Sequence, residues 1–152
     1  MQIWVDADAC PVVIKNILFK AAERTGVEVT LVANHQVTIP KLHNIKFLRV
    51  LPGFDVADNE IVKRLEKGDL IITADIPLAD DVITKGGVAL NPRGTLYSLE
   101  NIKYQLSMRN FMTDLRSDGL DTGGPKSLNQ QDRQNFSNQL DIWLNKYLKL
   151  KD

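Results

Sequence analysis

Carboxylates recur at fixed points along this sequence. Asp6 and Asp8 follow the apolar run Ile3-Trp4-Val5, Asp55 and Asp58 follow Pro52-Gly53, and Asp75 follows Leu70-Ile71-Ile72. Asp80 and Asp81 come just after Pro77. Each acid has an ordinary structural explanation. Asp8 can cap the helix that Pro11 opens, with Asp6 as a turn residue, and Asp55 and Asp75 stand where N-caps belong. Asp58 suits the positive end of a helix dipole. A cap needs only one oxygen acceptor, however, which Ser, Thr or Asn would also supply. Aspartate stands at every one of these junctions. Carboxylates brought together repel and raise one another's pKa unless a cation neutralises them. Three or four on one rim therefore point to a hard divalent ion, magnesium or manganese, and to phosphoryl chemistry.

Other chemistries fit less well. Zinc is disfavoured because the single Cys10 and the distant His35 and His43 have no ligand spacing. Cys10 lies near a helix N-terminus, which favours a thiolate, but no histidine partner can be identified for it. Both histidines fall in an aperiodic segment and read as loop residues. The candidate phosphate-holding bases are Arg93 in Asn91-Pro92-Arg93-Gly94, Arg109 and Arg116 two turns apart, Lys126 after Gly123-Gly124-Pro125, and Arg133. Glycine amides beside a cation can cradle phosphate, although the spacing around Lys126 is not that of a P-loop.

The elements that must position these groups follow from periodicity. Short apolar runs at Gln2–Val5, Val27–Ala33, Ile45–Leu51, Leu70–Ile72 and Val88–Leu90 read as strands. Helical spacing runs from Pro11 to Gly26, from Asp55 towards Gly68, and from Pro77 to Gly86. This alternation predicts an α/β fold: three layers, with a five-stranded, mostly parallel sheet flanked by helices. Each acid then falls just after a strand, on one rim. The last third is helical. One long helix is expected through Leu99, Ile102, Leu106, Met112 and Leu115 to Gly119, followed by a turn-rich loop over residues 120–126. A final amphipathic helix carries Phe136, Leu140, Trp143, Leu144, Tyr147 and Leu148 on one face. These helices can cover the sheet, or the last can join a second copy into a homo-oligomer.

The 152 residues suit a single domain over 1–152. Lys plus Arg and Asp plus Glu each number 19, so no global field draws the chain to nucleic acid or membrane. A single cysteine excludes an internal disulfide framework. There is no signal-like N-terminus, and no apolar run approaches the ~20 residues of a membrane span. A cytoplasmic protein is expected.

Four segments in order carry a resemblance: Val5-Asp6-Ala7-Asp8-Ala9-Cys10-Pro11, Asp55-Val56-Ala57-Asp58, Ile72-Thr73-Ala74-Asp75-Ile76-Pro77-Leu78-Ala79 and Gly123-Gly124-Pro125. Together they resemble the YaiI/YqxD family of small bacterial proteins, over nearly the whole chain. That family is grouped with the PIN-like nuclease folds, whose acids gather at strand C-termini around magnesium or manganese. The resemblance implies Asp6, Asp8, Asp58 and Asp75 as catalytic and metal positions, with Asp80 next to them. Either Asp55 or Asp58 can be the residue that turns inward.

Three functions are compatible with these residues. The first is a metal-dependent phosphodiesterase acting on RNA, single-stranded DNA or a short oligonucleotide, with Arg93, Arg109, Arg116 or Lys126 on neighbouring phosphates. The second is a haloacid-dehalogenase-like phosphatase with Asp6 as nucleophile, Asp8 as acid-base, and Asp75 and Asp80 on magnesium. The third is a non-catalytic module binding a metal or a nucleotide.

Overall fold

The computed structural model describes residues 1–53, 55–104, 107 and 127–151. Five strands, β1 (Ile3–Asp6), β2 (Val29–Ala33), β3 (Ile45–Arg49), β4 (Leu70–Ile72) and β5 (Val88–Leu90), alternate with α1 (Val12–Thr25), α2 (Val56–Arg64) and α3 (Ile76–Thr84). A helix α4 opens at residue 99 and is described through 104, and α5 spans Gln130–Lys151. The expected long helix beyond that point, with Leu106, Met112, Leu115 and Gly119, and the loop at 120–126 lie outside the described residues. Among the described residues, no helix is long and apolar enough to cross a membrane.

The sheet order is β3-β2-β1-β4-β5, and every strand pairing is parallel. The three central strands carry unbroken buried runs, as strands covered on both faces require. Edge strand β3 instead exposes Lys46 and Arg49, charges that discourage pairing with another chain.

From β1 the chain steps to β2 and β3, then returns to build β4 and β5 on the other side of β1. A parallel crossover has one strongly preferred hand, so reversing direction sends the connecting helices to opposite faces. On one face, Ile14 and Leu18 of α1 and Phe136, Leu140 and Trp143 of α5 pack over Ile3, Val5, Leu31 and Ile72. On the other, Ile61 of α2, Leu78 and Val82 of α3 and Ile102 of α4 pack over Trp4, Val32, Ile71 and Ala89. The three expected layers result. The apolar face of α5 is therefore buried against its own sheet from Phe136 to Leu144, with Tyr147 partly buried and Leu148 exposed.

Local chemistry sets the joints. Helix α1 ends at Gly26, whose φ of 78° is left-handed and whose N–H donates to the Ala22 carbonyl, a turn that favours glycine. The helix-free link from β2 to β3 is pinned by the buried Asn44, whose Nδ2 donates to the carbonyls of Ala22 at 2.9 Å and Val27 at 2.8 Å. Strand β1 runs one residue further than its apolar run, so Asp6 itself pairs in register with Val32. That carboxylate is thereby mounted on the sheet rather than on a loop.

The lower rim is closed by Asp69, which is 1% exposed. Its carboxylate accepts from the backbone N–H of Gln2 and of Glu66 and from Trp4 Nε1, at 3.1, 2.9 and 3.1 Å. Removing it would leave three donors without their acceptor, each worth about 1–3 kcal/mol when stranded. Asp69→Ala is therefore expected to lower the unfolding free energy by about 3 kcal/mol or more in urea titrations. A loss below about 1 kcal/mol would contradict this reading of the lower rim.

Candidate metal centre

At the opposite rim, β1 and β4 lie side by side, with Val5 level with Ile72. The next residues along are Asp6 and Thr73. Asp6 is 7% exposed, and its Oδ2 accepts the Thr73 hydroxyl at 3.0 Å. That hydroxyl oxygen in turn accepts the backbone N–H of Asp75 at 2.9 Å, and Asp75 Oδ1 caps α3 by accepting Leu78 N–H at 2.9 Å. One relay thus fixes both acids, and the cap expected of Asp75 is real.

Helix α2 brings the remaining acids. Asp55 occupies its N-cap position with a left-handed φ of 62° and makes no side-chain cap. Aspartate tolerates that conformation better than most residues. Asp55, Asp58 and Asp75 each offer a carboxylate oxygen within 4.8 Å of the others. The choice between Asp55 and Asp58 therefore resolves into both, with Asp55 on the exposed side and Asp58 half-buried.

The electrostatics reflect this crowding. Burial, reinforced by the charges of Asp75, Asp6 and Asp55, pushes the Asp58 carboxyl up to about 7. Burial also raises Asp6, against the opposing hydrogen bond from Thr73, with smaller upward contributions from Asp75 and Asp8. Groups held in this state are relieved by a cation. The donor set is all oxygen, which suits magnesium or manganese.

The other candidates are arranged differently. Asp8 does not cap α1, whose N-cap is Pro11. Its Oδ2 accepts Asn34 N–H at 3.0 Å and its Oδ1 pairs with His35 Nδ1, so Asp8 leans towards the end of β2. Asp80 lies further along α3, outside the three-carboxylate group. Cys10 is buried, and burial pushes its thiol up to about 12, which removes the basis for a thiolate nucleophile. Arg93 follows β5 and pairs with Asp132. Arg133 bonds Gln130 at the start of α5. Arg109, Arg116 and Lys126 lie outside the described residues.

Sequence reasoning missed Thr73, His35 and Asp132. Thr73 stood in plain view two residues before Asp75, but its partnership with Asp6 depends on β1 and β4 being neighbours. His35 was read as a loop residue; its partner Asp8 is 27 positions away.

An all-parallel five-stranded sheet flanked by helices, with acids at the C-terminal ends of its strands and a strand order that reverses between β1 and β4, places the chain among the open-sheet α/β proteins. Within that class, the chain belongs to the family described as "Uncharacterized BCR, YaiI/YqxD family", matched over residues 4–146. A UPF0178 protein of Syntrophotalea carbinolica is 64% identical over 148 residues, covering 97% of this chain and 100% of that one. One of Hydrogenovibrio crunogenus is 65% identical over 147 residues, 97% of each chain. One of Shewanella amazonensis is 65% identical over 144 residues, 95% of this chain and 97% of the relative. No solved structure matches.

The raised Asp58 pKa has a consequence for stability. In the folded chain Asp58 keeps its proton to about pH 7, whereas an unfolded aspartate releases it near pH ~4. The folded state holds the extra proton in that window, so stability falls as pH climbs through it and stays low above. Asp58→Asn cannot ionise. In metal-free buffer its melting temperature is expected to exceed that of the unsubstituted protein at about pH 8 but not at about pH 4. An equal difference at both pH values would contradict the mutual repulsion.

Proposed function

We propose that the chain is a divalent-metal-dependent phosphodiesterase acting on RNA, single-stranded DNA or a short oligonucleotide. The observation that carries this reading is the convergence of Asp55, Asp58 and Asp75 within 4.8 Å beside the buried Asp6. Without a cation such company raises a carboxyl pKa, as it does at Asp58. Asp55, Asp58 and Asp75 would hold magnesium or manganese, with the buried Asp6 behind them adding negative charge; the ion would polarise a phosphate and acidify a bound water.

The chain's own groups have distinct parts in this scheme. The Thr73 hydroxyl orients Asp6 and favours its charged form. Asp58, which keeps its proton to about pH 7 in the metal-free site, would release it when a cation binds, so that cation affinity rises with pH. Arg93 supplies a planar cation for phosphate oxygens. With no net charge, the chain has no global field to hold a long polyanion, which favours a short substrate.

The phosphatase alternative is less well supported. It needs an accessible Asp6 and a free Asp8. Asp6 is buried with one oxygen on Thr73, and both Asp8 oxygens are engaged.

The test is hydrolysis of an RNA, DNA and short-oligonucleotide panel with Mn²⁺. Asp58→Asn and Asp75→Asn are each expected to lower the rate by ~100-fold or more, and Thr73→Val to weaken Mn²⁺ binding by roughly 10–100-fold. Residual cleavage that is indifferent to all three substitutions would reject the reading. Stabilisation by Mg²⁺ plus a nucleotide without turnover would point to a binding module instead.

A further inference from the structure

Beside the acid cluster, the ends of β1, β4 and β5 and the start of α5 enclose a groove of about 610 Å³. Its walls include Ala9, Pro11, Ala74, Pro92, Arg93 and Leu128. The volume lies within the roughly 300–1,000 Å³ of small-molecule sites, and strand ends at a topological switch point are where such sites form. Ala74 is the residue between Thr73 and Asp75, so the groove and the acids share one turn.

Arg93 is held rigidly at this groove. Asn91 Oδ1 accepts its backbone N–H at 2.8 Å, and the Asn91 carbonyl accepts Gly94 N–H at 2.8 Å. Gly94 has a left-handed φ of 95°, and a Cβ there would lie 2.5 Å from Asn135 Cβ, so this turn is pressed directly onto α5. Arg93 Nη1 donates to Asp132 Oδ2 at 2.7 Å. Asp132 is itself fixed by reciprocal bonds with Asn129: its Oδ2 accepts Asn129 N–H at 3.1 Å, and Asn129 Oδ1 accepts Asp132 N–H at 2.8 Å. Among the described residues, the rest of the Arg93 guanidinium has no hydrogen-bond partner. A half-exposed, oriented fork of this kind suits a planar or tetrahedral oxyanion. The proline, alanine and leucine surfaces around it suit a flat apolar group.

We propose that this groove seats one nucleoside monophosphate unit of the substrate, with its phosphate on Arg93 and its base against the apolar walls, and that Asp132 is the positioning residue for Arg93. The choice of a nucleotide rests on the phosphodiester reading above. It names a second contact zone, next to the acids and chemically unlike them.

The test is an NMR titration of the ¹⁵N-labelled full chain with AMP, adenosine and inorganic phosphate, with and without Mg²⁺. AMP is expected to shift the amides of Ala9, Ala74, Arg93 and Leu128 and to bind more tightly than either fragment. Arg93→Lys and Asp132→Asn are each expected to weaken AMP by ~10-fold while leaving adenosine unchanged, because only the phosphate uses the fork. Ala74→Trp, at an exposed position, should weaken AMP and adenosine alike. Absence of AMP shifts at these amides with Mg²⁺ present, or AMP affinity unmoved by Arg93→Lys and Ala74→Trp, would overturn the proposal. Mn²⁺ broadening around Asp58 without an AMP response would reject the groove and spare the metal reading. The reverse pattern would spare the groove and reject the metal.

Discussion

The parallel pairing of β1 with β4 is the constraint on which the rest depends. These two strands are separated by more than sixty residues in the chain, yet Ile3, Trp4 and Val5 lie level with Leu70, Ile71 and Ile72. That register places Asp6 beside Thr73 at one rim and Trp4 within reach of Asp69 near the other. It also divides the chain's path, sending α1 and α5 to one face and α2, α3 and α4 to the other. Slipping the pair by one residue would turn every side chain of β4 to the wrong core and separate the rim acids from their partners.

The two rims handle buried carboxylates in opposite ways. Asp69 is surrounded by neutral N–H donors, two from the backbone and one from an indole, so its charge is solvated by the protein. The upper rim has one hydroxyl for Asp6 and then more acid: Asp55, Asp58 and Asp75 face one another with no cation among them from the described residues. A rim built for stability alone would resemble the lower one. This concentration of repulsion at one rim, where the other rim matches its buried carboxylate donor by donor, is the basis for proposing a cation site.

Much of this was legible from residue order. Strands β4 and β5 follow directly from three-residue apolar runs, the first between Asp69 and Thr73 and the second between Gly87 and Asn91, and the buried face of α5 follows from the spacing of Phe136, Leu140, Trp143 and Leu144. The Asp75 cap was visible because capping is local, and Pro77 marks the same helix start. The relay through Thr73 and the pairing of Asp8 with His35 were not visible, because they join strands whose order in the sheet is set by tertiary packing. The choice between Asp55 and Asp58 stayed open in the sequence for a subtler reason. The position of Asp55 is that of a cap, but its left-handed backbone leaves the cap unmade and the carboxylate available to Asp58. Asp132, likewise, looks like an ordinary first-turn acid of α5 until the turn carrying Arg93 is seen to press against that helix.

The central claim is that the acids at the β1–β4 rim form one cation site. The most direct measurement is anomalous diffraction from crystals soaked in manganese. A peak lying between the carboxylates of Asp55, Asp58 and Asp75, with Thr73 still bonded to Asp6, is the result this account predicts. Carboxylates splayed onto separate helix amides with no peak between them, or a peak elsewhere on the surface, would contradict it.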